Sequence, residues 1–437
     1  MNRIVQCCVL LTAAGLMAAT AAHAATEIQW WHSMTSRNGE LVNKIAGDFN
    51  AKQSQYKIVP VYKGQYAQSL AAAIAAYRAG HPPAIVQVYE VGTQTMMSAK
   101  GAIKPVYEVM KEGGGTFNQD AYIPAIRFYY SDTKGRMLSM PFNSSTPVLY
   151  YNKEAFKKAG LADKAPKTWP DFVKDAKKLK ASGSTCPFTT SWQSWVQLEN
   201  FSAWHNVPIA NNGDGFDGLA TKLLLNGPLQ VRHISNMQKW HNEGLFVYGG
   251  RADVPAGMFY SGKCAMLFTS SGAYGNIVKN SKFKFGVGEL PYYPDVKGAP
   301  QNSIIGGATL WVMGGQPENV YKGVAKFFTY LSSPEVQAEW SETTGYLPVT
   351  TAAYDYIKKQ GYYAKHPGSD VAIKQLTNKP PTANSKGIRL GNFVQIRNVI
   401  NEELEAIWSN KKAAKQGLDD IVKRGDGWLA KFAAANK

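Results

Sequence analysis

The chain has 437 residues and a formal net charge of +17, from 48 Lys and Arg against 31 Asp and Glu. This length is enough for two domains. The basic residues are spread along the chain and form no cluster, which argues against a nucleic-acid-binding module. The 7 histidines and 4 cysteines are few and scattered, so neither a metal nor a cofactor is expected. A basic surface can still favour an anionic small ligand, although most of it is expected to be simply solvated.

The first 24 residues have the pattern of a secretory signal peptide. Arg3 supplies the positive charge, residues 4–21 are mostly apolar, and Ala22-His23-Ala24 is a small-x-small cleavage site. No cysteine follows directly, so a lipid anchor is not expected. The pattern predicts export to the periplasm and cleavage after Ala24.

Two of the cysteines, Cys7 and Cys8, lie in the predicted signal peptide. Cys186 and Cys264 would remain in an oxidising compartment. The sequence leaves two possibilities open for them, a single disulfide or two buried free thiols.

The segment after the signal peptide alternates between strand and helix patterns. Helices are indicated by apolar residues that recur on one face, and strands by short apolar or alternating runs. This alternation predicts a mostly parallel sheet covered by helices on both faces. The predicted strands are 27–31, 56–62 and 84–88, and the predicted helices contain Leu41, Ile45 and Phe49, then Leu70, Ile74 and Tyr77.

The alternation returns after residue 145 with a strand at 146–151 and a helix N-capped by Thr168. A strand at 264–269, a second inter-lobe crossing at 304–313 and a helix at 324–331 follow. The pattern predicts two α/β lobes, each a mostly parallel sheet flanked by helices, with the chain crossing between them more than once. We assign 25–143 plus 304–331 to the N-terminal lobe and 144–303 plus 332–437 to the C-terminal lobe. A ligand is expected in the cleft, at the carboxyl ends of strands, with hinge closure around it.

Sequence motifs for catalysis are absent. The chain contains no HExxH, GxSxG or GxxxxGK[ST] motif. Residues 212–218, NGDGFDG, match G-x-G-x-x-G but lack the flanking strand and helix that a dinucleotide site needs, and Phe216 stands where a calcium loop needs an oxygen ligand. We interpret this segment as a polar loop, and no enzymatic activity is expected.

Four residues are candidate ligand contacts on their chemistry, each with a structural alternative. Glu90 ends an apolar strand and can accept hydrogen bonds from hydroxyls, or it is a solvated loop acid. Trp192 and Trp195 can pack on a sugar or polyol, or in the core. Ser270 lies between a strand and a helix, where it can bind phosphate or act only as an N-cap.

Arg397 is the most informative single residue. It lies on an otherwise apolar helix stripe with Phe393, Ile400, Leu404 and Ile407. A desolvated guanidinium needs an anion, and its fork suits phosphate. The alternative is pairing with an internal acid.

Two blocks, YNKEAFKKAG and PKTWPDF, resemble the first crossing strand and following helices of the extracellular solute-binding protein family 1, the maltose-binding-like receptors of ABC importers. Further blocks resemble the glycerol-phosphate branch of that family and span nearly the whole mature chain. They are WWHSM, YKGQYAQSL, AIVQVYEVGTQTMM, PFNSSTPVLYYNK, WVQLENFSAW, QNSIIGGATLWVM, TTGYLPVT and GIRLGNFVQIR.

The resemblance implies a two-lobed type II periplasmic binding protein fold and a ligand, sn-glycerol 3-phosphate, with glycerophosphodiesters such as glycerophosphocholine as further ligands. It also implies a monomer that docks on an inner-membrane ABC permease and ATPase complex. The family's ligand contacts fall on Tyr66, Glu90, Ser145, Trp192, Trp195, Ser270, Gly307, Tyr346 and Arg397. We expect the serines, tyrosines and Arg397 at the phosphate, and Glu90 and the tryptophans at the glycerol. A receptor for a neutral oligosaccharide is the alternative, and a secreted phosphodiesterase would need a metal cluster or nucleophile that the sequence does not show.

Overall fold

The computed structural model describes residues 24–114 and 117–436. Apart from Ala24, the predicted signal peptide lies outside these residues. In the part that is described, no helix has both the length and the apolar character needed to cross a lipid bilayer.

Within the described residues, ten strands form two sheets. The first sheet has the order β2-β1-β3-β10-β4, with β5 paired to β10, and the second has the order β7-β8-β6-β9. The strands are β1 (Thr26–His32), β2 (Tyr56–Tyr62), β3 (Ile85–Tyr89), β4 (Ile103–Lys104), β5 (Met140–Ser145), β6 (Pro147–Asn152), β7 (Cys186–Thr190), β8 (Cys264–Ser270), β9 (Phe285–Gly288) and β10 (Gly306–Met313).

Helices surround the sheets and form most of the last hundred residues. They are α1 (Ser36–Ala51), α2 (Tyr66–Arg78), α3 (Thr93–Ser98), α4 (Val106–Glu112), α5 (Pro124–Arg127), α6 (Lys153–Lys158), α7 (Trp169–Ala181), α8 (Phe201–Trp204), α9 (Asn211–Asp214), α10 (Pro228–Asn242), α11 (Ala256–Tyr260), α12 (Tyr274–Asn280), α13 (Glu318–Leu331), α14 (Pro334–Thr344), α15 (Thr351–Lys359), α16 (Tyr362–Lys365), α17 (Val371–Leu376), α18 (Phe393–Trp408) and α19 (Ala414–Ala435). A π-helical segment spans Trp195–Asn200.

The prediction of mostly parallel sheets is wrong. In the first sheet β1 is parallel to β2 and β3, but β10 is antiparallel to β3, β4 and β5. In the second sheet β7 and β8 are parallel, whereas β6 is antiparallel to both β8 and β9. In an all-parallel sheet, a crossover connection joins each strand to another strand of the same sheet. Here β6 and β10 enter from the other sheet, so each sheet is mixed.

The local predictions around the first crossing are confirmed. Only Thr146 separates β5 from β6, so the chain passes from one sheet to the other in one step. The side chain of Thr168 accepts a hydrogen bond from the backbone N–H of Asp171 at 3.2 Å, as an N-cap does. The helix it caps, α7, buries Trp169, Phe172, Ala176 and Leu179.

Cys186 and Cys264 lie opposite each other at the start of the parallel pair β7 and β8. Their Cα atoms are 4.5 Å apart and the two sulfurs form a disulfide bond. The sequence left open either a disulfide or two free thiols, and the disulfide is what forms. It links the edge strand β7 covalently to its neighbour β8.

A buried histidine in the core is held in its neutral form. His205 is 1% exposed. Its Nδ1 donates to the carbonyl of Phe201 at 2.8 Å, and its Nε2 accepts from the backbone N–H of Tyr293 at 2.9 Å. Protonation of Nε2 would place a second ring N–H against the backbone N–H of Tyr293, and that hydrogen bond would be lost. Burial, as the main cause, lowers the pKa of His205 to about 4.

This gives the first prediction, a loss of stability in mild acid. The pKa of about 4 in the folded protein lies below the ordinary histidine value of 6.5 that holds in the unfolded chain. The unfolded chain therefore binds the proton first, and stability is lost as the pH falls through this window. We expect His205 to lower the free energy of unfolding by about 2 kcal/mol between pH 7 and pH 5. Urea titrations over this range should show a smaller pH dependence in His205→Gln, while His81→Gln, an exposed site, should keep the wild-type slope. Identical slopes in all three proteins would contradict this assignment.

Candidate binding cavity

The nine residues predicted as ligand contacts line one cavity, and Tyr89 joins them. The space between them measures about 400 Å³, part of which is open to solvent. The lining residues are Tyr66, Tyr89, Glu90, Ser145, Trp192, Trp195, Ser270, Gly307, Tyr346 and Arg397. The structure thus brings the whole predicted set together, and what each residue binds stays a prediction.

Several of these residues lie at the ends of strands. Glu90 directly follows β3, Ser145 is the last residue of β5, and Ser270 is the last residue of β8. Gly307 is the second residue of β10, and Ser145 and Gly306 are partners in the β5–β10 ladder. The carboxyl ends of strands in open α/β sheets commonly form the ligand crevice. The location predicted for Glu90 at such an end is confirmed.

A buried chain of hydrogen bonds orients Tyr66. The Tyr66 hydroxyl accepts from Asn143 Nδ2 at 2.9 Å, and Asn143 Oδ1 accepts from Gln87 Nε2 at 2.7 Å. Gln87 Oε1 in turn accepts from the backbone N–H of Ser33 at 2.8 Å. Since the Tyr66 oxygen already accepts one bond, its own hydrogen is available to a neighbouring acceptor.

Tyr346 reaches the cavity from the loop after α14. Its ring stacks on Trp340 with centroids 5.6 Å apart, and the next residue, Leu347, donates its N–H to the carbonyl of Ser144 at 2.8 Å. Burial, followed by the proximity of Tyr346, raises the pKa of Tyr66 well above its usual value, and burial also raises the pKa of Tyr346. Both hydroxyls therefore stay neutral donors at physiological pH.

The two tryptophans line the cavity and also belong to the core. Trp195 is 4% exposed and begins the π-helical segment, a geometry frequent at functional sites. Its indole Nε1 is buried with no hydrogen-bond partner in the residues described. Trp192 is half-buried and packs against the same core. The packing interpretation is confirmed for both tryptophans, and their contact with a ligand stays a prediction.

Ser270 performs the structural role that the sequence offered as its alternative. Its hydroxyl oxygen accepts from the backbone N–H of Gly272 at 3.0 Å, which caps the turn before α12. The hydroxyl hydrogen remains free to donate into the cavity it lines.

The fork of Arg397, predicted to hold a phosphate, is occupied by an internal carboxylate. Its Nε and Nη2 donate to the two oxygens of Glu199 at 2.8 and 2.6 Å. Its Nη2 also lies 2.6 Å from an oxygen of Glu90. All three side chains are buried, Glu199 to 1% and Glu90 to 5% exposure. A buried guanidinium needs an anion, and here the protein itself supplies two.

This acid–arginine–acid cluster, made of Glu90, Arg397 and Glu199, offers no net positive charge. Burial by itself would lower the pKa of Arg397, but Glu199 and then Glu90 outweigh it and raise the pKa overall. Burial also raises the pKa of Glu90, an effect that Arg397 partly offsets. With both acids ionised the formal sum is −1. The cluster is therefore better suited to hydroxyl groups, which both donate and accept, than to a phosphate.

Sequence reasoning missed Glu199 and Tyr89. Tyr89 directly precedes Glu90, and its ring stacks on Tyr66 with centroids 5.2 Å apart. Glu199 lies in the segment that carries Trp195, but no periodicity reveals its direction because that segment is π-helical. The motif at 212–218 lines no part of the cavity. Its Asp214 accepts from the backbone N–H groups of Ile209 and Ala210 at 2.9 and 2.8 Å, which is a local structural role.

Comparison with known proteins identifies the family. The profile described as bacterial extracellular solute-binding protein matches residues 44–369. The chain belongs to this family. It is 54% identical over 435 residues to the sn-glycerol-3-phosphate-binding periplasmic protein UgpB of Yersinia pseudotuberculosis, with 99% of this chain and 98% of that protein covered. The protein of the same name from Pectobacterium atrosepticum is also 54% identical, over 418 residues, covering 95% and 94% of the two chains.

A solved structure supports the fold. UgpB from Mycobacterium tuberculosis, crystallised in complex with glycerophosphocholine, superposes with a TM-score of 0.78 at 22% identity, covering 93% of this chain and 99% of that one. The two-lobed periplasmic binding protein fold predicted from the sequence is confirmed, with the correction that its sheets are mixed.

Proposed function

We propose that the protein is a periplasmic solute-binding receptor of an ABC importer, which captures sn-glycerol 3-phosphate and delivers it to the membrane permease and ATPase complex. The observation that carries the proposal is that the nine contacts expected for a glycerol-phosphate receptor line one cavity. Relatives that are 54% identical over nearly the whole chain are named as periplasmic proteins that bind sn-glycerol 3-phosphate. Glycerophosphodiesters belong to the same ligand class.

The charges suggest how the ligand lies. Glycerol hydroxyls can donate to Glu90 and accept from Arg397, whose Nη1 donates to no protein group within the described ranges. The phosphate then lies among the hydroxyls of Tyr66, Ser145, Ser270 and Tyr346, which can all donate to it. This arrangement replaces the sequence-based division, in which Arg397 held the phosphate.

The proposed function also requires two lobes that can close around the ligand. Residues 25–143 plus 304–331 would form one lobe and 144–303 plus 332–437 the other, with the division falling inside β5. Closure of the two lobes around the ligand would be the state that the permease reads, and the receptor would act as a monomer.

Titration calorimetry tests the ligand class. We expect sn-glycerol 3-phosphate to bind and maltose not to bind, because the cavity presents both hydroxyl donors and the acid–arginine–acid cluster. Glycerol and inorganic phosphate serve as the matched fragments, and each should bind more weakly than the intact ligand. Binding of maltose in preference to glycerol 3-phosphate would favour a neutral-oligosaccharide receptor instead.

The receptor should leave its ligand chemically unchanged. The residues around the cavity include no nucleophile paired with a base of the kind that hydrolysis requires. Phosphorus NMR of glycerol 3-phosphate and of glycerophosphocholine incubated with the pure protein should show constant ligand signals. Product that accumulates in proportion to protein concentration would identify an enzyme.

A further inference from the structure

Glu199 does not line the binding cavity, although it contacts Arg397, which does. Its side chain is 1% exposed, and within the described residues its carboxylate forms hydrogen bonds to Arg397 alone. A ligand in the cavity therefore meets Arg397 and not Glu199. Any effect of Glu199 on binding must be transmitted through the guanidinium.

The two acids of the acid–arginine–acid cluster occupy the nitrogens with which Arg397 would chelate an anion. A guanidinium forms two parallel hydrogen bonds to a phosphate through either Nε and Nη2 or Nη1 and Nη2. Glu199 takes the first pair, at 2.8 and 2.6 Å. Glu90 lies 2.6 Å from Nη2, so this nitrogen is shared between the two acids. Only Nη1 donates to no protein group in the described ranges, and one nitrogen suits a hydroxyl better than a phosphate.

Glu199 also sets the charge that a ligand meets beside Arg397. Glu90 and Arg397 alone form a neutral pair, and the ionised carboxylate of Glu199 brings the formal sum to −1. Salt screens such a buried charge weakly. At an effective dielectric constant of about 20, one charge a few ångströms away changes the affinity for an anion by about tenfold or more.

We infer that Glu199 is a specificity-determining residue, which makes the part of the cavity beside Arg397 reject phosphate and accept the hydroxyls of glycerol. The inference rests on the proposed function and deepens it. Glu199 would fix which way round glycerol 3-phosphate lies and would reduce competition from inorganic phosphate. It touches no ligand and acts by positioning and neutralising Arg397.

Competition calorimetry tests the inference, with inorganic phosphate and sulfate as competitors of sn-glycerol 3-phosphate. Glu199→Gln keeps the size of the side chain and removes its charge, so the affinities for phosphate and sulfate should rise about tenfold relative to that for glycerol 3-phosphate. Glu199→Asp keeps the charge and should keep the wild-type ratio of affinities. In Glu199→Gln the guanidinium retains Glu90 as its partner, so the protein should still fold, which urea unfolding verifies.

Glu405→Gln is the matched control. Glu405 accepts from Nε and Nη2 of Arg251, both at 2.6 Å, so it forms the same kind of pair at the surface. It lines no part of the binding cavity. Its substitution removes one negative charge from the protein and leaves the cluster intact, so the ratio of affinities should stay that of the wild type.

The outcomes separate the inference from the proposed function. If wild-type protein fails to bind glycerol 3-phosphate, the proposed function fails. If it binds, but Glu199→Gln changes the affinities for all three ligands in equal proportion, Glu199 supports only the fold and the inference alone is overturned. An equal rise in phosphate affinity in Glu405→Gln or in Glu199→Asp would also overturn it, because the charge of Glu199 would not be the cause. A rise confined to Glu199→Gln supports the assignment.

Discussion

Arg397→Ala should destabilise the folded protein by about 3–5 kcal/mol. The guanidinium is the partner of Glu199 and Glu90, which are 1% and 5% exposed. Removing it leaves two carboxylates buried without a cation, and the cost of an unpaired buried charge exceeds the cost of losing the contact itself. Urea unfolding measures the loss, and ligand affinity should fall as well because Glu90 loses the group that positions it.

The chain offers a matched control for this variant. Arg251 also binds a carboxylate with its fork, donating from Nε and Nη2 to Glu405, both at 2.6 Å. That pair is on the surface, with side chains 43% and 31% exposed. Arg251→Ala should therefore cost no more than about 1 kcal/mol. If the two variants unfold at the same urea concentration, burial does not decide the strength of the Arg397 pairs.

Arg397→Lys distinguishes charge from geometry. A lysine keeps the positive charge but cannot contact both oxygens of Glu199 with a rigid fork. We expect its stability and its ligand affinity to fall between those of Arg397→Ala and wild type.

The sequence predicted the location of the cavity because the ends of strands and short family motifs can both be recognised from neighbouring residues. Glu90 and Ser270 each end or follow an apolar strand, and the strand pattern alone placed them at strand ends. The resemblance to a family supplied the rest, including Gly307 and Tyr346, which have no distinctive chemistry in isolation.

The partner of Arg397 could not be predicted in this way. The apolar stripe on α18 showed correctly that the guanidinium is buried, but it could not show which anion it meets. Glu199 is 198 residues away in sequence and projects from a π-helical segment. A helical wheel with 3.6 residues per turn does not describe the directions of side chains in such a segment. The direction of β6 and β10 was missed for a related reason, because strand orientation depends on where the chain comes from and not on the composition of the strand.

Gly307→Ala should lower the free energy of unfolding by about 2–4 kcal/mol and weaken ligand binding. Gly307 has φ +92°, in the left-handed region that favours glycine, and a Cβ there would lie 1.8 Å from the carbonyl oxygen of Asn143. Relieving that clash must move β10 away from β5. Asn143 is the residue whose side chain holds Tyr66, so the displacement is transmitted to the cavity.

Gly298→Ala separates the two parts of this effect. Gly298 has φ +89°, nearly the same backbone conformation, but no atom lies within 4 Å of the position its Cβ would take. Its substitution should therefore show only the backbone cost, about 1 kcal/mol, with ligand affinity unchanged. Equal destabilisation in the two variants would mean that β5 and β10 can move apart to accept the new Cβ with no loss of folding free energy. Full ligand affinity in a destabilised Gly307→Ala protein would instead show that Asn143 does not transmit the displacement to Tyr66.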